Sequence, residues 1–481
     1  MSKQSGFFII FDIPLIPKPL SSECSANQPT PNTMKKITLL FILFTSFTYS
    51  QINLGTTILQ NTVVASNLNV PWDMVYGPDG WIWFTELSGN IKRMNPTTYQ
   101  IQQVFAISDV ALFGFSVGLH SIQLHPDFNT NHYLYVHYAY TNTTSKIVRY
   151  EYDVANNTLI NPTIILNAIP AGVSHNGSRI VILGDKLFIC LGDTYNNAPT
   201  AQNTATINGK VLRMNLDGSI PSDNPTPGSY VYTMGHRNPQ GMCYANGRIY
   251  SSEHGTSAND EVNIIEPGRN YGWPTVEGVC NTAAEITFCN ANNVKEPIYS
   301  WSPSIAPAGM DYYQNAAIPE WDNSLLVAVL KNKVLIQLKL NADGSQVTQQ
   351  NIYLTNTYGR LRDVLVIPDG RVFLCTSNRD YAGSPIAADD RIIELKNPAL
   401  SIGQINETKA TVYPVPSDNV INIESNYDIK FVSIINMDGK EVYAAKYSSK
   451  VDVSGFAAGT YFLRLLDGDK KLVEQKRVLV K

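Results

Sequence analysis

From Gln51 to about Leu400, apolar and aromatic residues fall in short runs of strand length between tight turns, and helical periodicity is nearly absent. The first unit is the clearest. Residues 72–76 lead into Pro78-Asp79-Gly80, where proline presets φ and glycine permits φ > 0; Trp81-Ile82-Trp83-Phe84 and a third run over 89–94 follow. Looser copies carry their turns at His125-Pro126-Asp127, Leu183-Gly184-Asp185, Ala245-Asn246-Gly247, Pro319-Glu320 and Pro368-Asp369-Gly370. Six imperfect copies at intervals of roughly 50 to 70 residues predict an all-β fold, a six-bladed β-propeller with about four strands to a blade. Two stacked β-sandwiches are the competing architecture and need no such repeat. After Pro398 the texture changes: residues 401–409 read as a polar linker, and 410–481 as a small C-terminal β-sandwich. Its strands are expected at 420–423, 430–435, 440–445, 459–465 and 472–480, with turns at Asp438-Gly439 and Asp467-Gly468.

One segment is neither propeller nor sandwich. Met34-Lys35-Lys36, an apolar run from Ile37 to Phe44 and a small polar end before Gln51 have the layout of a secretory signal peptide over residues 34–50. Its apolar core is far short of the roughly 20 residues that cross a bilayer, and no later segment qualifies. The expectation is an exported protein that does not span the membrane. Residues 1–33 carry Pro14, Pro17, Pro19, Pro29 and Pro31 and read as a leader outside the fold, with translation starting at Met34; an unusually long n-region is the alternative.

Composition narrows the function classes. Lys+Arg number 36 and Asp+Glu 40 in 481 residues, a net charge of −4, so nothing general favours nucleic acid or an anionic membrane as partner. Hydrophobic residues at 44% against 16% charged suffice for a large core. Cys24 lies in the leader, and Cys190, Cys243 and Cys375 sit in apolar runs as buried thiols. Cys280 and Cys289 bracket a short polar loop in an exported chain, which predicts a local disulfide. No CxxC pair exists, which argues against a zinc-cysteine site.

The candidate chemistry lies in a few polar strings at strand ends. Ser174-His175-Asn176-Gly177-Ser178-Arg179 precedes one strand and Leu191-Gly192-Asp193 ends the next. Gly235-His236-Arg237-Asn238-Pro239-Gln240-Gly241, Glu253-His254-Gly255-Thr256, Asp260-Glu261-Val262-Asn263 and the run from Pro267 to Pro274 follow. In this order they resemble the glucose/sorbosone dehydrogenase family, soluble quinoproteins that oxidise sugars with pyrroloquinoline quinone (PQQ). The resemblance runs from about Val70 to Leu395 and takes in Gly118-Leu119, Leu124 to Phe128, Ser304 to Gly309 and Arg360-Leu361-Arg362-Asp363.

The resemblance implies oxidation of the C1 hydroxyl of an aldose to a lactone, with hydride passing to Ca2+-bound PQQ and on to an external electron acceptor. PQQ is a flat tricarboxylate ortho-quinone, so its site needs cations for the acids and a hard metal at the quinone oxygens. The matching cofactor residues are Arg237, Asn238, Gln240, Lys331, Arg360 and Arg362; taken singly, each arginine could equally serve a surface ion pair. The matching calcium ligands are the carbonyls of Gly255 and Thr256, where threonine replaces the usual proline. His175 is implied as the base and Asp193 as its supporting acid. The other histidines read as core or loop residues. Departures from the family pattern stand at Ser116, Val117 and Ala198, and in Gly118-Leu119-His120-Ser121, where Gly-Leu-Leu-Gly is usual. A binding propeller without redox chemistry, like the hedgehog-interacting proteins, and a calcium-dependent lactonase-type hydrolase are the competing classes.

The C-terminal part resembles the sorting domain of type IX secretion substrates: Tyr413-Pro414-Val415-Pro416-Ser417, Asn436-Met437-Asp438-Gly439, Gly459-Thr460-Tyr461 and a basic apolar end at 476–481. Tyr-Pro-Val-Pro stands where Tyr-Pro-Asn-Pro is usual. The resemblance implies the secretion machinery as a partner; an ordinary carbohydrate-binding or spacer module is the alternative.

Overall fold

Five four-stranded antiparallel sheets follow one another along the chain, over residues 71–106, 119–170, 180–234, 239–301 and 307–353. A sixth sheet combines Leu361–Val366, Val372–Thr376 and Ile392–Lys396 with two strands from the start of the chain, Ile58–Ala65 and Ser50–Asn53. Gln60 pairs opposite Lys396 there, so strands from the two ends of the propeller segment are hydrogen-bonded into one blade and the ring closes without an open seam. The first strand of each blade packs against the first strands of both neighbours, around a common axis. The structure, a computed structural model, describes residues 50–115, 117–195, 197–401, 410–425, 427–436 and 440–481. The proposed leader, nearly all of the signal segment, linker residues 402–409 and the Asp438-Gly439 turn lie outside the described residues.

Each of the six turns read from the sequence joins the first and second strands of a blade. Gly80, Gly184, Gly247 and Gly370 hold positive φ there, as the turn chemistry requires. The two turns without glycine are the two that carry a helical turn, Phe128–Asn131 and Pro319–Trp321. Second strands such as Ile82–Glu86, Ser324–Val329 and Val372–Thr376 are buried at every position, because both faces of a blade pack on neighbouring blades. Trp83 shows this: it meets Phe128 edge-on at 5.7 Å and Tyr152 at 4.9 Å, both from the next blade.

The Cys280–Cys289 disulfide forms as expected, and Cys190, Cys243 and Cys375 are buried thiols. The segment between the bonded cysteines is the helix Ala283–Ala291, however, and not a loop. Thr282 Oγ1 accepts from the Glu285 amide at 3.2 Å while Glu285 Oε2 accepts from the Thr282 amide at 2.9 Å. This reciprocal cap is written in the sequence as Thr-x-x-Glu and outweighs the polar composition that suggested a loop.

In the C-terminal part, Ala410–Tyr413, Val420–Ser425 and Lys450–Asp452 form one sheet, and Glu441–Lys446, Phe431–Asn436, Gly459–Leu466 and Leu472–Val480 another. Ile421 and Ile423 from the first share a core with Val432, Ile434, Leu463 and Leu465 from the second, which makes the sandwich. Ala410–Tyr413 and Lys450–Asp452 are additions to the strands read from sequence. No helix among the described residues is long and apolar enough to cross a membrane.

Antiparallel pairing decides where the polar strings meet. Pro71 pairs opposite Glu86, Pro239 opposite Glu253, Pro307 opposite Val329 and Leu361 opposite Thr376. The start of each first strand therefore lies beside the end of the second. The residues just before the one and just after the other gather at one end of the axis together with Gln240 and Arg362, each the second residue of its first strand, and these include every site candidate.

Candidate active site

A cavity of about 310 Å³ opens at that end of the axis, lined among others by His175, Asn238, Gln240, Lys331, Arg360 and Arg362. Its size falls in the range of small-molecule sites. Arg237 and Gly255 line a small adjoining recess, while Thr256 sits on an exposed turn. Asp193 stands behind His175, fully buried.

The His175 loop is tightly built. His175 itself has φ +56, a left-handed conformation that is uncommon outside glycine, and its carbonyl accepts from the Thr194 amide at 3.1 Å. Gly192 makes this approach possible, since a Cβ there would lie 2.1 Å from the His175 oxygen. The result is a hydrogen bond of 2.8 Å between His175 Nδ1 and Asp193 Oδ1. The same oxygen accepts from the Tyr195 amide at 2.8 Å, and Oδ2 accepts from Trp273 Nε1 at 2.9 Å. With three donors directed at it, the carboxylate fixes the imidazole proton on Nδ1, leaving Nε2 as the ring nitrogen available to the cavity.

The cation side follows from two strings. Arg360 Nη2 and Arg362 Nη2 both donate to Asp380 Oδ2, at 2.9 and 3.1 Å. Lys331, on the same cavity wall, makes no ion pair among the described residues, so Asp380 is the one carboxylate paired with the cations that line the cavity. Burial pushes the Arg362 guanidinium below its ordinary range; Asp380 opposes this and the neighbouring Arg360 adds to it. Arg362 also donates from Nη1 to Gln240 Oε1 at 3.2 Å, and Gln240 Nε2 donates to Asn238 Oδ1 at 3.0 Å. Glu253 holds the Arg237-Asn238 segment by accepting from both backbone amides and pairing with His236 Nδ1 at 2.9 Å. Arg237 donates from Nη1 to the His254 carbonyl at 3.2 Å, with its guanidinium 5.3 Å from the Trp273 ring centre.

These residues fit a polyanionic planar cofactor. Arg237 Nε and Arg362 Nε are buried without a hydrogen-bond partner, and a buried guanidinium nitrogen left unpaired is costly unless an anion completes it. The Gly255 amide donates to Asp260 at 2.8 Å and the Thr256 amide to Glu277 at 3.1 Å, while the carbonyls of both residues receive no hydrogen bond among the described residues. Both oxygens are thus free to ligate a hard cation. No cluster of three or more His, Cys, Asp or Glu is arranged to hold a metal among the described residues, so ligation here would rest on carbonyls.

Several site residues were not legible as such. His254 and His120, read as core or loop histidines, both line the cavity. Burial holds His254 down at about 4, so it is neutral, and its Nε2 bonds to the Pro307 carbonyl at 2.8 Å. His120 packs on Trp72 at 5.0 Å and pairs through Nδ1 with Ser178 Oγ at 3.0 Å. Asp380 and Trp273 lie 18 and 80 residues from the groups they serve, and no local spacing announces them. Ser116 lies outside the described residues, and Ala198 opens a short 3-10 turn without lining the cavity.

Comparison with known proteins agrees with this geometry. Residues 68–383 match the glucose/sorbosone dehydrogenase family model, and residues 411–481 match that of the secretion system C-terminal sorting domain. Quinoprotein glucose dehydrogenase B of Acinetobacter calcoaceticus is 32% identical, over 70% of this chain and 88% of its own length. Aldose sugar dehydrogenase YliI of Escherichia coli is 29% identical, over 65% of this chain and 89% of its own. The PQQ-bound aldose sugar dehydrogenase of Streptomyces coelicolor superimposes with a TM-score of 0.62 at 32% identity, covering 70% of this chain and 98% of that one. With the family model spanning most of the propeller and the polar strings assembled on one cavity, this chain belongs to the glucose/sorbosone dehydrogenase family and carries a C-terminal sorting domain.

Proposed function

We propose that this chain is an exported quinoprotein that oxidises the C1 hydroxyl of aldose sugars to the lactone. The observation that carries the reading is the His175–Asp193 pair, 2.8 Å apart, with His175 on the wall of a cavity that Lys331, Arg360 and Arg362 also line, where Asp380 pairs with the two arginines and Lys331 has no ion pair among the described residues. PQQ, when bound with Ca2+, supplies the acceptor for the C1 hydride, and an external acceptor takes the electron pair onward. His175 Nε2 takes the C1 hydroxyl proton, a step within reach of imidazole near neutral pH. Asp193 holds the ring in the right tautomer and stabilises the imidazolium that results. Lys331, Arg360 and Arg362 hold carboxylates, with Arg237, Asn238 and Gln240 completing the cradle and the carbonyls of Gly255 and Thr256 offered to calcium. Export rests on the segment 34–50, and delivery to the surface or medium on the sandwich over 410–481, read by the type IX machinery.

Reconstitution tests this. The chain from Gln51, purified and supplied with PQQ and CaCl2, is expected to gain a cofactor absorption band and to reduce a dye when aldose is added. His175→Gln is expected to keep the band and lose roughly 10² to 10⁴ in turnover. Lys331→Ala is expected to raise the PQQ concentration needed for half-saturation. Failure of the wild type to bind PQQ with Ca2+ present would overturn the reading in favour of a binding propeller.

A further inference from the structure

Two exposed aromatic rings from different loops meet at the mouth of the cavity. Phe115, in the connection between the first two blades, and Tyr381, in the last loop of the sixth, both line it and lie 4.8 Å apart, ring centre to ring centre. They remain 47% and 64% exposed, whereas the His175 side chain deeper in the cavity is 10% exposed. A pair of large rings left in water is unusual on a surface with no other demand on it.

Both rings stand on anchored backbone. The Phe115 amide donates to the Val173 carbonyl at 2.6 Å, two residues before His175. Gly114, at φ +56, permits this contact, since a Cβ there would lie 2.3 Å from the Val173 oxygen. On the other side, Asp380 is fixed by Arg360 and Arg362 and accepts from the Ala382 amide at 3.0 Å, so the turn bearing Tyr381 is tied to the cation set. The aromatic pair therefore spans from the loop of the base to the loop of the cations. A different ring, Tyr195, borders the base directly, edge-on to His175 at 5.1 Å. No ring contact joins the Phe115–Tyr381 pair to His175 or Tyr195 among the described residues.

We propose that Phe115 and Tyr381 form an outer subsite that stacks on the second pyranose ring of a reducing oligosaccharide whose first ring is oxidised beside His175. This rests on the reading of the site as a sugar-oxidising one. A pyranose presents a face of axial C–H groups with its hydroxyls at the rim, which suits a flat, exposed aromatic surface. The oxidised ring must bring C1 to His175, so the ring joined to it by a glycosidic bond projects toward the mouth where the pair lies.

The test uses the full mature chain and two readouts. The first is binding of methyl β-cellobioside and methyl α-maltoside, whose blocked C1 prevents turnover, against methyl β-glucoside, by calorimetry with and without PQQ. Wild type is expected to bind at least one of the disaccharides at least ten-fold more tightly than the monosaccharide. Phe115→Ala and Tyr381→Ala are expected to erase that ratio, and Tyr381→Phe to keep it. The second is the ratio of kcat/KM for cellobiose or maltose over glucose, which is expected to fall at least ten-fold in the alanine variants. An unchanged ratio in the alanine variants, or full retention in Phe115→Leu and Tyr381→Leu, overturns the subsite. Absence of any turnover with PQQ by the wild type would fail the dehydrogenase reading, while the binding measurement still decides the subsite.

Discussion

Trp273 donates its indole N–H to Asp193 Oδ2 at 2.9 Å, while His175 takes the other oxygen at 2.8 Å. The same indole lies under the Arg237 guanidinium. One side chain thus joins the support of the base to the cation side of the site, which gives Trp273 a positioning role.

Trp273→Phe removes that donor and leaves more of the negative charge of Asp193 to stabilise the imidazolium. The acidic limb of the kcat/KM–pH profile, where the base gains its proton, is expected to move to higher pH, with turnover reduced by about ten-fold or less, in line with the roughly 1 kcal/mol of one hydrogen bond. Asp193→Asn should act in the opposite sense, moving that limb to lower pH and costing roughly 10² to 10⁴ in turnover. Shifts of the same sign in pH–rate profiles of the two variants would count against the positioning role of Trp273.

Asp380→Asn takes away the one carboxylate shared by Arg360 and Arg362. Breaking a buried pair from one side costs about 3–5 kcal/mol, so the apoprotein is expected to melt several degrees lower. An anionic cofactor would supply the missing charge, so added PQQ should raise the melting temperature of this variant more than that of the wild type. Thermal melts with and without PQQ read the difference.

His137 is fully buried, with Nε2 on Ser145 Oγ at 2.9 Å, and burial, aided by His120, holds it down at about 3. Its folded-state value is below the unfolded one near 6.5, so the unfolded chain binds the proton first as pH falls. Relative to His137→Phe, the wild type should lose up to about 1.4 kcal/mol of stability per pH unit between roughly pH 6 and 4. Urea unfolding of both proteins at a series of pH values measures this slope.

Separation of the two domains is expected to leave each folded, because the sandwich has a core of its own in Ile421, Ile434, Leu463 and Leu465. Residues 51–400 produced alone should reduce dye with aldose at a rate within about two-fold of the longer chain once PQQ and Ca2+ are added. In the native host, residues 34–400, which keep the signal segment but lack the sandwich, should stay in the periplasm.

Local chemistry in the sequence determined most of the architecture. The six turns, with glycine at Gly80, Gly184, Gly247 and Gly370, set the blades because a tight turn between apolar runs needs only neighbouring residues to form. The capping box at Thr282 and Glu285 is written in the same local code, and it starts a helix where the polar composition between two cysteines suggests a loop. The strings around His175, Arg237 and Arg360 marked the site through resemblance to a known order of motifs. What only the tertiary structure decided was which of these groups face each other. Asp380 reaches Arg362 within one blade and Trp273 reaches Asp193 from the neighbouring blade, while Phe115 meets Tyr381 across a separation of 266 residues because the ring of blades closes by pairing Ile58–Ala65 with Ile392–Lys396. Burial made the same kind of choice: His120 and His254 look like any turn or strand histidine in the chain, and only the convergence of first strands on one axis brings them to the cavity wall.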